Sequence, residues 1–212
     1  MRIAIIGTGN VGSALSTAAV KAGHTVTLAA AHPEHAADVA AATGAQAAGT
    51  AVEAAQGSDL VVLAVPAGAA RGVAAELAGV LAGTPLVDAT NPINASFDGL
   101  DIAGVSFAHE LQEVVPGAPV VKALNTLFAG RYADPQENGR PLDAFIAADD
   151  EGAKARVAEF TASLGLRPVD VGGLRKARSL EEMAFLNITV NAANGWVWQT
   201  GWQLAGPTTA TA

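Results

Sequence analysis

The chain has 212 residues, half of them hydrophobic, with a net charge of −8 and no cysteine. That length suits one α/β domain with an appendage; the acidic balance argues against a nucleic-acid partner, and no apolar run reaches the roughly 20 residues of a membrane span. Disulfides, thiolate catalysis and iron–sulfur clusters are excluded, and His32 and His35 lack a third neighbouring ligand, so no metal site is expected.

Residues 2–6 read as a short strand, apolar and β-branched, buried on both faces. It follows Met1 directly, with no room for the basic region and cleavage site of a secretion signal, so a cytoplasmic location is expected. The strand runs into Gly7-Thr8-Gly9-Asn10-Val11-Gly12 and a helix over 13–21, and a second strand follows at 25–28. Glycines between a strand and a helix suit a dinucleotide, whose pyrophosphate must meet backbone N–H groups and the positive end of a helix. In that arrangement Gly7 allows the tight turn, Gly9 lets the phosphates approach the main chain, and Gly12 lets the helix lie close on the strand.

The second strand ends where the adenosine ribose of a dinucleotide lands. An NAD site would place Asp or Glu there, but the first acid is Glu34, in the opening turn of a helix over 33–42 with Pro33 at its start. The omission favours NADP, with Thr8 and His32 as candidate contacts of the 2′-phosphate.

An edge strand at 44–48 and a helix at 50–56 precede a core strand at 59–65, which Pro66 stops. Ligands of open α/β sheets sit beyond the carboxyl ends of the strands, so Val65, Pro66 and Ala67 should line the cleft. Asn91 and Pro92, beyond a strand at 86–89, should do the same. A helix is expected at 72–81, a loop at 95–104, and a helix bearing His109 at 106–115. A strand at 119–124 then delivers Asn125 and Thr126 to the rim. Residues 131–141 read as a mobile polar loop, and strand 142–147, helix 149–164 and strand 167–171 as a further βαβ unit in an unbroken alternation.

From Leu174 the character changes. Arg175, Lys176 and Arg178 precede one long helix expected over 179–204, on which Asn187, Asn191, Asn194 and Trp198 form a polar–aromatic stripe. Such a stripe lines a ligand cavity, crosses a subunit interface or faces water. A frayed tail is expected from Thr208. The fold expected is α/β, a Rossmann-like, doubly wound, mostly parallel sheet over residues 1–174 with a C-terminal helical extension over 175–212.

Four stretches also carry a family resemblance: Ile3-Ala-Ile-Ile-Gly-Thr-Gly-Asn-Val-Gly12, Val61-Val-Leu-Ala-Val-Pro66, Val120-Val-Lys-Ala-Leu-Asn-Thr126 and Leu166-Arg-Pro-Val-Asp-Val-Gly172. In this order they resemble the deazaflavin-dependent NADP oxidoreductases, among them the NADPH:coenzyme F420 oxidoreductases. The resemblance implies NADP(H) in the Rossmann-like part, the deazaflavin coenzyme F420 as co-substrate, a helical C-terminal part that closes the deazaflavin pocket or forms a dimer interface, and a homodimer. Where members often carry Ser-Arg to grip the 2′-phosphate, this chain has Ala31 and His32.

Elimination points the same way. The chain has no G-x-S-x-G elbow, no cysteine nucleophile and no P-loop lysine. Hydride transfer between two cofactors requires none of these, because the redox chemistry belongs to the rings and the protein supplies positioning. Asn125, Thr126 and His109 are the positioning candidates. Three rivals stay open: a ketone or imine reductase with Lys122, His109 or Tyr132 as proton donor, a flavin reductase, and a non-catalytic NADP-sensing protein.

Overall fold

Strand β1 (Arg2–Ile6) turns Ile3 and Ile5 to one face of a sheet and Ala4 and Ile6 to the other, and all four are buried. The computed structural model describes residues 1–206 and 208; the tail expected from Thr208 lies, that residue apart, outside the described residues. Helix α1 (Asn10–Lys21) leads to β2 (Thr25–Ala29), α2 (Pro33–Thr43), the two-residue edge strand β3 (Gln46–Ala47) and α3 (Ala51–Ala55). Then come β4 (Leu60–Leu63), α4 (Ala67–Leu77), β5 (Leu86–Asp88), α5 (Phe107–Val114) and β6 (Val120–Lys122).

These six strands lie parallel in the order β3-β2-β1-β4-β5-β6, so the order reverses between β1 and β4. That reversal opens a crevice beyond the strand ends, where ligands of doubly wound sheets bind. One apolar layer, with Leu15, Leu28, Val62, Val121 and Phe160, covers one face of the sheet. Leu63, Leu77, Leu86, Phe107 and Leu111 belong to the layer on the other.

The expected alternation breaks after β6. In place of a helix there is a 3₁₀ turn at Ala129–Tyr132 and a hairpin of β7 (Gln136–Glu137) and β8 (Arg140–Pro141). Asn138 and Gly139 between them have φ of 51° and 74°, the paired left-handed conformation of a two-residue hairpin turn. The segment expected to be a mobile loop is therefore built in, with the Arg131 side chain buried on the Gln136 carbonyl and the Tyr132 hydroxyl donating to Leu124 O at 3.0 Å.

Strand β9 (Asp143–Ala147) joins β6 antiparallel, pairing Ala147 with Lys122. Helix α6 (Glu151–Ser163) then returns the chain to β10 (Arg167–Gly172), parallel to β9. Helices α1 and α4 start earlier than expected, at Asn10 and at Ala67 beside Pro66.

The largest correction is at the end of the chain. Helix α7 (Ala177–Asn194) stops at Gly195, whose φ of 62° is the left-handed helix stop. Trp198 is therefore off the helix, and the expected stripe is split between α7 and a non-helical segment over 196–206. No helix among the described residues is long and apolar enough to cross a membrane.

Candidate active site at the strand crevice

The glycine turn has the local geometry its spacing implies. Gly7 has φ of 112°, and a Cβ there would lie 2.3 Å from Ala64 O; one on Gly12 would lie 1.9 Å from Gly7 O. A Cβ on Gly9 would meet nothing within 4 Å. Gly7 and Gly12 are thus required by the protein's own packing, whereas Gly9 keeps a surface clear.

Helix α1 starts there with no side-chain cap and no acid in its first turn. Helices α2 and α4, which follow β2 and β4, also start without a side-chain cap, whereas Thr50, Ser106 and Asp150 cap α3, α5 and α6. The uncapped starts flank the crevice, and free N–H groups at a helix start favour an anion. Thr8 sits in the glycine turn, its carbonyl accepting from Ser13 Oγ at 2.9 Å.

At the β2 end Ala31 and His32 are exposed and no acid precedes Glu34. His32 directly precedes α2 without capping it, with Nδ1 3.6 Å from Glu34 Oε1 and its ring centroid 5.3 Å from that of His35. Val65 stands beside Gly7, Pro66 precedes α4 and Ala67 opens it, along the crevice wall.

A cavity of about 430 Å³ opens next to this turn. Asn10, Val11, Asn91, Asn125 and Thr126 line it from the sheet side, and Asn187 and Trp198 from the C-terminal side. Pro92 lies outside it, buried, its carbonyl accepting from Asp101 N at 2.7 Å. Asn91 and Asn125 clasp each other: Asn91 Nδ2 donates to Asn125 O at 2.9 Å, and Asn125 Nδ2 to Asn91 Oδ1 at 3.0 Å. Asn125 Nδ2 also reaches Leu180 O on α7, which leaves Asn125 Oδ1 buried without a partner among the described residues. An unpaired buried acceptor is costly unless a ligand or water completes it.

Among the described residues no ionisable side chain lines this cavity. The three candidate proton donors are engaged elsewhere. His109 Nδ1 shares a hydrogen with Ser106 Oγ at 2.7 Å on α5, outside the lining. Tyr132 is buried, and that burial pushes its hydroxyl well above the usual phenol range.

Lys122 is fully buried, its Nζ 2.8 Å from Asp88 Oδ2, 2.6 Å from Thr90 O and 3.5 Å from Glu181 Oε1. Glu181 in turn accepts from the N–H groups of Phe107 and Ala108 at the start of α5. Burial raises the Glu181 carboxyl above its ordinary range; Lys122 opposes the shift and Asp88 adds to it. The cluster fastens α7 to β5 and β6, behind the cavity rather than in it.

On α7, Asn187 and Asn191 are buried, while Asn194 is exposed and donates to Val190 O of its own helix. Phe128, Gln199, Thr200, Asp88 and Glu181 were not anticipated. Phe128 follows directly on Asn125 and Thr126, and the Asn194-Gly195 dipeptide is a turn signal that would have put Gln199 and Thr200 off the helix. No local signal marks Asp88 or Glu181.

Residues 2–92 match the family described as NADP oxidoreductase coenzyme F420-dependent. The F420-dependent NADP reductase of Methanothermobacter thermautotrophicus is 30% identical over 217 residues, covering 92% of this chain and 90% of that protein. Metalloreductase STEAP3 of Rattus norvegicus is 30% identical over 85% of this chain, which spans only 36% of that longer protein. Among solved structures, a candidate F420-dependent NADP-reductase from Arthrobacter sp. superposes with a TM-score of 0.84 at 30% identity, covering 97% of this chain and 100% of that one.

Proposed function

The chain belongs to the family of coenzyme F420-dependent NADP oxidoreductases, and on that premise we propose that it transfers a hydride between NADP(H) and a deazaflavin ring of the F420 type. The observation that carries the proposal is the cavity beside the glycine turn, which offers amides, a hydroxyl and aromatic surface but no ionisable side chain. When bound, the two rings supply the chemistry: a hydride passes from the nicotinamide to a carbon of the deazaflavin, and water provides the accompanying proton.

The chain's own residues bind and orient. The N–H groups of Asn10, Val11 and Gly12, at the open start of α1, hold the pyrophosphate, and the bare Gly9 lets it come close. Thr8 and His32 face the 2′-phosphate end, where β2 closes without the acid of an NAD site and Glu34 comes only in the first turn of α2, and Val65, Pro66 and Ala67 form the wall between. Asn91, Asn125 and Thr126 orient the reacting rings, and Pro92 supports that loop. His109, held on α5 by Ser106, has no part in this account. Holding two rings in a reactive arrangement is a large fraction of what such a reaction needs.

Residues 1–174 are the NADP-binding part in this reading, and 175–212 close the acceptor side, which Asn187 and Trp198 support by lining the cavity. A cytoplasmic homodimer fits the reading, with exposed Leu186, Trp196, Val197 and Leu204 as its contact surface. The test is bleaching of oxidised deazaflavin absorbance by NADPH, with NADH and FMN in parallel. Rapid NADPH-dependent bleaching without FMN turnover supports the proposal; intact NADPH binding without bleaching overturns it.

A further inference from the structure

The segment after Gly195 is fastened along its length. Asn191 donates from Nδ2 to Thr200 Oγ1 at 2.6 Å and to Asn187 Oδ1 at 3.1 Å, and Thr200 Oγ1 donates to Asn187 Oδ1 at 2.6 Å. Trp196 N donates to Asn191 O at 3.0 Å. Gln199 lies so close over Gly130 that a Cβ there would sit 2.1 Å from its Nε2, and Leu142 covers Gly201 in the same way at 2.6 Å. Asp143 N donates to Trp202 O at 2.9 Å, and Leu204 N to Asp143 Oδ2 at 2.6 Å.

Between these fastenings Trp198 has φ of 59°, a conformation that bulky residues avoid. Its indole stands edge-on to Phe128, centroids 5.5 Å apart at 90°, and both residues line the cavity. The pinned backbone therefore carries a strained residue where an aromatic ring meets the cavity. Asn187 Oδ1 already accepts two bonds, and its Nδ2 makes none among the described residues, leaving an amide donor in the same lining.

We propose that Trp198 is the stacking platform for the acceptor, selecting a planar fused-ring molecule over a small ketone or imine, and that Asn191 and Thr200 are positioning residues holding it in place. Asn187 Nδ2 then donates to a carbonyl on the edge of that ring system. The inference rests on the hydride-transfer reading above and assigns its acceptor specificity. A fused ring offers a face that an indole can cover, whereas an isolated C=O or C=N group offers none, and an aromatic contact of this kind is worth about tenfold in affinity.

The experiment is equilibrium dialysis of oxidised deazaflavin against the NADP⁺-bound protein, as wild type and as Trp198→Ala, Trp198→Phe and Thr200→Val, with steady-state KM and kcat for the same set. Trp198→Ala is expected to raise Kd and KM for the deazaflavin about tenfold while NADP⁺ affinity stays unchanged. Trp198→Phe, which keeps a ring, should restore most of the loss. Thr200→Val, which leaves the indole but cuts the latch, should raise KM with little change in kcat. Deazaflavin binding to Trp198→Ala within twofold of wild type overturns the platform and leaves the hydride-transfer reading standing. Should Trp198→Ala fail to fold, a wild-type KM in Thr200→Val and unchanged tryptophan quenching by deazaflavin in Trp198→Phe overturn it equally. Failure of the wild type to bind deazaflavin while it binds NADP⁺ overturns the reading itself, and the platform with it.

Discussion

Lys122 and Glu181 meet 3.5 Å apart with both side chains fully buried, joining β6 to α7 behind the cavity. Removing the lysine leaves Asp88 and Glu181 as unpaired buried carboxylates, and breaking such a pair costs about 3–5 kcal/mol. Lys122→Met is expected to lower stability by that amount in denaturant unfolding, and to loosen α7 in hydrogen exchange before the rest of the sheet.

The same cluster has a pH signature. Burial raises the Glu181 carboxyl above its unfolded value, so the folded protein holds that proton more tightly. The contribution of Glu181 to stability is full below about pH 4.3, where the unfolded carboxyl also titrates, and falls as pH rises through the folded value. Glu181→Gln should remove this fall, so that its stability relative to wild type improves from acid toward neutral pH. Urea unfolding of the two proteins across that range reads the difference directly, because their other titrating groups are shared.

Gly9 and Gly12 are expected to fail differently. Gly12→Ala drives a methyl group onto the Gly7 carbonyl and should lower the midpoint of thermal unfolding by several degrees, in line with a cost of about 1–3 kcal/mol for overpacking. Gly9→Ala has room in the free protein and should unfold as wild type does. Its methyl group would stand where the phosphates approach, so NADPH affinity should drop about tenfold or more.

In the proposed site His32 takes the place of an arginine at the 2′-phosphate, with Glu34 and the His35 ring as its neighbours. An imidazole offers fewer donors to a phosphate than the five-donor fork of a guanidinium. Removing the ring in His32→Ala should therefore narrow the preference for NADPH over NADH. His32→Arg should tighten NADPH about tenfold, leaving NADH unaffected. Dissociation constants of both nucleotides for the three proteins provide the check.

Legibility in the sequence followed the range of the interactions. The β1–glycine–α1 unit and the buried parallel strands were readable because glycine placement and continuous apolar runs are local signals. Two further local signals went unused: Asn138-Gly139 marks the β7–β8 hairpin, and Asn194-Gly195 marks the end of α7. Reading the C-terminal segment as one helix put Trp198 on a face with the asparagines. The structure brings it to the cavity by a strained turn instead.

The Lys122 cluster was out of reach for another reason. Asp88 and Lys122 are register partners across β5 and β6, and Glu181 arrives only when α7 docks. No spacing in the chain announces that meeting.

Isotope tracing tests direct hydride transfer in a cavity that holds no acid or base among the described residues. NADPH deuterated at the transferring position of C4 should pass its deuterium to the reduced deazaflavin, with a primary isotope effect on the bleaching step in single-turnover stopped flow. Reduced deazaflavin that carries solvent hydrogen at that carbon, or bleaching that is insensitive to the label in single turnover, would rule direct transfer out.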